Sequence, residues 1–217
     1  LYARRAAGGQ VNEAELAAAG RAALADVLKR QAEAGVDVAN NGEQQREAFF
    51  LYLRHRLSGI GGQWKRPARG DVAQYPDFAE AMANALDGKV AVSNMDPPMA
   101  IGAIAHEKPE ACEAECADFD AALAAIGRPF AGSFLTAPSP GIVAAALKNM
   151  HYDSEEAYLD ALAGALRVEY ETILAHGHTL QLDCPELGLE GHLTYTDRPK
   201  EFLAFVERAI AAIAKGI

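Results

Sequence analysis

The chain has 217 residues, half of them hydrophobic and 23% charged, and a formal net charge of −10. That length suits one folded domain with a sizeable core, and the acidic balance argues against a protein that coats nucleic acid or an anionic membrane. No apolar run approaches the roughly 18 to 20 residues of a membrane span, and no signal peptide is visible, although a start at Leu1 would hide one.

Residues 1–10 form a basic, glycine-bearing lead-in without a clear period. Asn12 then opens a helix. It can cap the first turn, and Glu15 completes a capping-box pattern. Leu16, Ala19, Ala23, Val27 and Leu28 fall along one face, and Gly35 is the stop. Val36 to Ala39 is a short strand, Asn40-Asn41-Gly42-Glu43 the turn after it, and Gln44 to Leu57 a second helix with Phe49, Phe50, Leu53 and Leu57 as its apolar side. Glycines and Pro67 break the pattern from Ser58 to Gly70, where Trp64 sits among Gly, Lys and Arg. A short helix over 77–86 follows, then a strand candidate at 89–94, an extended run at 99–105 and a helix over 109–126. Phe130 to Thr136 is a strand that ends in the rigid turn Ala137-Pro138-Ser139-Pro140-Gly141. Asp153 and Glu156 form the capping box of a helix with Tyr158, Leu159, Leu162, Leu166, Ile173 and Leu174 as its stripe and Gly177 as its stop. Leu180 to Asp183 is a strand closed by Cys184-Pro185. Asp197 caps a last helix with Phe202, Phe205, Val206, Ile210 and Ile213 inside.

Near-continuous apolar strands alternating with long helices predict parallel α/β packing. No Gly-x-Gly-x-x-Gly follows a strand, so a dinucleotide-binding sheet loses support. Four or five strands fall short of a (β/α)₈ TIM barrel, which takes about 250 residues. Residues 1–217 are therefore expected to be a single, partial barrel domain.

Such folds put their chemistry at the C-terminal ends of strands. Glu43 and Asp183 both stand there and are expected to share one pocket. The functional reading is a paired acidic site; the structural alternative is that Glu43 caps a helix and Asp183 braces the turn before Pro185. Ser139 lies at the right end of its strand and either contacts substrate or fixes its turn. Cys184 is expected to be a buried neutral thiol. Cys112 and Cys116, four apart on one helix, are expected to pack rather than bind metal, since no further donor lies close in sequence. Three cysteines without framework spacing fit a reducing cytoplasm better than a secreted scaffold. His176-Gly177-His178 flanks a helix stop at the N-terminal end of its strand, the stability face of a barrel, and is not expected to be a site. His106 and His151 follow strand-end regions, but solvated loop histidines are the more common case. Lys65, Arg66 and Arg69 around Trp64 could meet a phosphate, with a solvated loop as the simpler expectation. No Gly-x-Ser-x-Gly elbow is present, which argues against an α/β-hydrolase.

Four motifs in order give the chain a family resemblance. Gln31-Ala32-Glu33-Ala34-Gly35-Val36-Asp37-Val38 followed by Asn41-Gly42-Glu43-Gln44-Gln45-Arg46 resembles the cobalamin-independent methionine synthase family, in particular its short single-barrel members. Phe134 to Gly141, Ser154 to Leu159 and Leu180 to Pro185 are similar to that family's later motifs. The resemblance implies a (β/α)₈ barrel and zinc-dependent transfer of a methyl group from a methylated folate to a thiol, usually homocysteine. It implies that Glu43 and Asp183 hold the amino group of the acceptor, and it makes Asn41 and Ser139 further candidates for substrate contact. The sequence also departs from the family. Asn41 stands where many relatives have Asp or His, and Cys184 where an acidic residue is common. The family's zinc donors, a His-x-Cys pair, a glutamate and a further cysteine, lie beyond the fifth strand, so no metal ligand is expected in this chain. The expectation is the middle of a longer enzyme, about strands 2–5. Coenzyme M-type thiol chemistry on the same barrel, or an inactive barrel that serves as a binding or structural protein, are the alternatives. A half-open barrel would also expose edges suited to a partner or to copies of itself.

Overall fold

The computed structural model describes residues 1–66, 72–86, 92, 96–127 and 130–217. Three strands, β1 (Val38–Asn40), β4 (Gly132–Pro138) and β6 (Thr179–Asp183), form a parallel sheet in the order β1-β4-β6. Thr136 pairs with Gln181 and Pro138 with Asp183, so β4 and β6 end level. Helices α2 (Glu13–Glu33), α4 (Pro109–Ile126) and α6 (Glu155–Ala175) pack side by side, α2 against α4 and α4 against α6. Leu24, Leu28, Cys112, Cys116, Phe119, Leu162, Leu166 and Ile173 meet Leu135 and Ala137 of β4 in one core. Spatial strand order follows chain order, the arrangement of a barrel sector, in which sequential strands are neighbours. The sheet does not close among the described residues, and β1 and β6 are its edges.

The remaining elements are smaller. Helix α1 (Tyr2–Ala6) precedes α2, and α3 (Pro76–Leu86) follows a 3₁₀ turn at Val72–Gln74. Two-residue strands β2 (Ile60–Gly61), β3 (Met99–Ala100) and β5 (Lys148–Asn149) make a second sheet. Helices α5 (Pro140–Ala146), α7 (Glu186–Leu193) and α8 (Pro199–Gly216) pack on one another, and α5 and α8 also pack on α6.

Asn12 caps α2 as expected, its Oδ1 accepting from the amides of Ala14 and Glu15, and Gly35 takes φ +82°. The buried line of α2 is Gly20, Leu24 and Leu28, a shift from the expected face: Ala19 is exposed and Leu16, Ala23 and Val27 are half-buried. The helix expected over 44–57 is instead a run of turns and a 3₁₀ turn at Leu51–His55. Arg46, Glu47, Phe50 to Leu53 and Arg56 are all buried around this segment rather than along one stripe, so tertiary contacts override helix propensity. The helix α6 starts one residue later than expected, because Ser154, not Asp153, caps it by accepting from the Ala157 amide; Leu174 is exposed. Arg198, without a side-chain cap bond, precedes α8, where Asp197 was expected to cap. That helix buries Phe205, Ala209, Ala212 and Gly216, while Ile210 faces out. Its small residues allow close approach: a Cβ at Gly216 would sit 3.3 Å from the Tyr170 ring. The strand candidate at 89–94 lies outside the described residues except for Val92.

A carboxylate cleft at the strand ends

The loop after β1 is built by its asparagines. The amide of Gly42 donates to Asn40 Oδ1 (2.6 Å), and the amide of Glu43 donates to Asn41 Oδ1 (3.0 Å). These Asx turns carry the chain through positive φ at Gly42 (+63°) and Glu43 (+54°). A glutamate in the left-handed region is uncommon and costs backbone energy. Asn40 is itself fixed by a reciprocal pair with the Gln31 side chain, at 2.7 and 2.9 Å.

The loop delivers Glu43 to a cleft of about 550 Å³ lined by Glu43, Phe49, Gln181, Leu182, Asp183, Cys184 and Pro185. The two carboxylates expected to share a pocket thus line one cleft, from either edge of the sheet at its C-terminal end. Each has one oxygen held by a neutral donor. Thr136 Oγ1 donates to Glu43 Oε1 (2.7 Å), and Gln181 Nε2 donates to Asp183 Oδ1 (3.0 Å). Phe49, Leu182 and Pro185 supply apolar wall. Cys184 is half-buried beside Asp183, and burial pushes its thiol up, with Glu186 adding to the effect.

Asn41 and Ser139 are placed differently. Asn41 is buried, and its Nδ2 donates to Glu115 Oε1 (2.9 Å), so it supports the Glu43 loop from below. Ser139 is buried as the cap of α5: its Oγ accepts from the Ile142 amide (3.0 Å) and donates to Glu186 Oε1 (2.6 Å). Neither lines the cleft.

Behind Glu43 lies a buried ionic network. Arg46 Nη1 donates to Thr136 Oγ1 (3.2 Å), and Arg46 Nε donates to Glu115 Oε1 (2.8 Å). Arg56 joins Glu115 Oε2 (2.6 Å) to Glu169 Oε1 (2.9 Å). Tyr52 donates to Glu169 Oε2 (2.8 Å), and its ring lies under both guanidinium groups, at 4.8 and 4.6 Å. Burial alone would raise Glu169, but Arg56, His106 and Arg46 hold it down to about 2. Burial likewise opposes ionisation of Glu115, and Arg46 and Arg56 outweigh it, leaving its carboxyl below the usual range. Two buried cations and two buried anions balance, the condition under which such charges are tolerated. His106, a loop histidine in the sequence, belongs to this network, with Nε2 3.3 Å from Glu169 Oε1.

The other candidates have structural roles. Cys112 and Cys116 are buried in the core. At the opposite end of the sheet, His176 lies between Asp120 (2.6 Å) and Glu113 (2.9 Å), and His178 Nδ1 is 2.7 Å from Ser133 Oγ. Trp64 Nε1 donates to the Ala146 carbonyl, and Arg66 faces Glu190 at 3.9 Å; Arg69 lies outside the described residues. Helices α5 and α7 and the ionic network escape the sequence reading. Ser139-Pro140 signalled the start of α5. Glu115 and Glu169 stand on the buried faces of their helices, between Cys112 and Phe119 and between Leu166 and Ile173, which is the pattern of a buried charge seeking a partner.

Parallel strands in sequential order make the chain a mixed α/β protein whose sheet is compatible with part of a barrel. It is similar to a solved structure of a B12-independent methionine synthase from Shewanella sp. W3-18-1 in complex with selenomethionine, with a TM-score of 0.59 and 20% identity over 93% of this chain. The chain spans 50% of that protein's length, and at this identity the likeness establishes fold alone. No protein-family model and no curated protein matches the chain. Among the described residues no group of three or more His, Cys, Asp or Glu could hold a metal ion, and no helix is long and apolar enough to cross a membrane.

Proposed function

We propose that the cleft is the acceptor end of a thiol methyltransferase of the cobalamin-independent methionine synthase type. In this reading Glu43 and Asp183 bind the ammonium group of an amino-acid thiol, most simply homocysteine, on its way to methionine. The observation that carries it is the pair itself: two carboxylates in one cleft, each with one oxygen anchored by a neutral donor. Neutral anchors fix direction, and the nearby Arg46 guanidinium stands 3.9 Å from Glu43 rather than hydrogen-bonded to it, leaving the carboxylate to an ammonium ligand. Phe49, Leu182 and Pro185 suit the aliphatic part of such a ligand.

The methyl donor in this reading is a methylated folate, and activation of the thiol is the work of zinc. The described residues do not fit that metal, because no three or more His, Cys, Asp or Glu side chains converge among them, Cys184, Asp183 and Glu43 of the cleft included. In this reading the metal's ligands are not among the described residues. The chain's own contribution is to orient the acceptor. A cytoplasmic setting accords with three free thiols.

The test is calorimetric titration of the protein with L-homocysteine. Glu43→Gln and Asp183→Asn are each expected to weaken binding about 10- to 100-fold, the worth of one charged hydrogen bond. Unchanged affinity in both variants would remove the pair from the site. Equal affinity for 4-mercaptobutanoate, which lacks the amine, would point instead to a thiol of the coenzyme M kind.

A further inference from the structure

We infer that Thr136 is a positioning residue that keeps Glu43 available to the ligand by standing between it and Arg46. This deepens the amine-site reading and rests on it.

Arg46 Nη1 lies 3.9 Å from Glu43 Oε1, beyond hydrogen-bond length. The Thr136 hydroxyl fills the gap. A guanidinium only donates, so Arg46 spends an N–H on Thr136 Oγ1 (3.2 Å), and the one hydroxyl hydrogen is left to point at Glu43 Oε1 (2.7 Å). Arg46 is held in place independently. Its side chain is 1% exposed, its Nε is bound to Glu115, and its plane lies over Tyr52. Glu43 is the softer partner, because its side chain is 30% exposed and it stands on a two-residue Asx loop.

Removal of the hydroxyl leaves an unpartnered guanidinium N–H and an unpartnered carboxylate oxygen less than 4 Å apart. The arrangement that satisfies both is a direct ion pair, and Glu43, the less buried of the two, is the partner that shifts to make it. Capture by Arg46 would turn the cleft carboxylate inward and neutralise it, taking away half of the acidic pair without altering Asp183. The small β-branched residue near the C-terminal end of β4 thus acts on ligand preference through a residue on another element.

The test compares Thr136→Val, which keeps the shape, with Thr136→Ser, which restores the hydroxyl. The valine variant is expected to bind L-homocysteine about 10- to 100-fold more weakly and the serine variant within about threefold of the parent. Binding of 4-mercaptobutanoate, an anion, should not weaken in either variant, since loss of a cleft carboxylate charge removes repulsion, whereas general damage to the cleft would weaken it. In a Glu43→Gln background the valine substitution should cost nothing further, since its effect runs through Glu43. Parent-like binding by Thr136→Val, additive losses in the double variant, or an equal loss for the ligand without the amine would each overturn the inference. If the parent protein binds no homocysteine, the amine-site reading itself fails. A crystal structure of Thr136→Val then still decides the spacer role: Glu43 at about 3 Å from Arg46 supports it, and Glu43 unmoved overturns it.

Discussion

The charge network behind the cleft makes a quantitative demand on Glu169. This carboxylate is buried, accepts from Arg56 (2.9 Å) and Tyr52 (2.8 Å), and has His106 Nε2 at 3.3 Å. Burial works against its ionised form, yet Arg56, His106 and Arg46 bring it from 4.5 to about 2. A carboxyl depressed by that much contributes about 3 kcal/mol to folding stability. Because the folded-state value is the lower one, that contribution is complete above pH 4.5 and is lost as pH falls toward 2. Glu169→Gln keeps the shape but leaves Arg56 with Glu115 as its one anion and the buried site with a net positive charge. Breaking such a pair costs about 3–5 kcal/mol. Urea unfolding followed by circular dichroism at pH 7 and pH 3.5 measures both effects. The variant should be less stable at pH 7 and should lose less on acidification, the residual acid sensitivity coming from Glu115. A variant within about 0.5 kcal/mol of the parent at pH 7, or one with the same acid dependence, would refute the account of the network.

Two further outcomes follow from groups outside the cleft. Hydrogen bonding to Asp120, supported by Glu113, raises His176 above 6.5, so Asp120→Asn should bring its titration down toward that value in NMR spectra, and an unmoved titration would show that Asp120 is not the cause. The stabilising effect of that pair is present at low pH and fades as pH rises through the raised value. Cys184 is the one half-buried thiol, with Cys112 and Cys116 at 2% and 0% exposure. Iodoacetamide at pH 8 should therefore modify Cys184 first, slowly because burial raises its pKa, and reach the other two after unfolding; earlier labelling of Cys116 in the native protein would contradict its place in the core.

Much of the cleft was legible because its two acids are placed by local rules. A short apolar strand followed by Asn-Asn-Gly-Glu, and another ended by Asp-Cys-Pro, set Glu43 and Asp183 at strand ends before any tertiary contact is considered. Helices α2, α4 and α6 were legible through caps and stops that act within a few residues, Asn12, Pro109, Gly35 and Gly177 among them. The segment 44–57 was not legible. Its apolar residues suit a helix, and what prevents one is burial of Arg46 and Arg56 against Glu115 and Glu169, 59 to 113 positions away in sequence. The faces of α2 and α8 shifted for a related reason: Gly20 and the run Ala209, Ala212, Gly216 lie where a neighbour approaches closely, and small residues weigh little in a hydrophobic pattern.

The two cleft carboxylates are therefore unequal in a way that composition hides. Glu43 is tied through Thr136 and Arg46 to a buried, charge-balanced network that reaches α4 and α6. Asp183 has Gln181 as its side-chain partner, a residue exposed on the edge strand β6. A rigid acceptor loses little freedom when a ligand arrives, and a loosely held one must be ordered at a cost. In the proposed reading, therefore, Glu43 sets the position of the ammonium group and Asp183 is ordered as the ligand binds. Loss of Glu43 should consequently cost more affinity than loss of Asp183. Gln181→Ala, which frees Asp183, should weaken binding less than Thr136→Val, which redirects Glu43. The reverse order in a single titration series would mean that the exposed edge, not the buried network, organises the cleft.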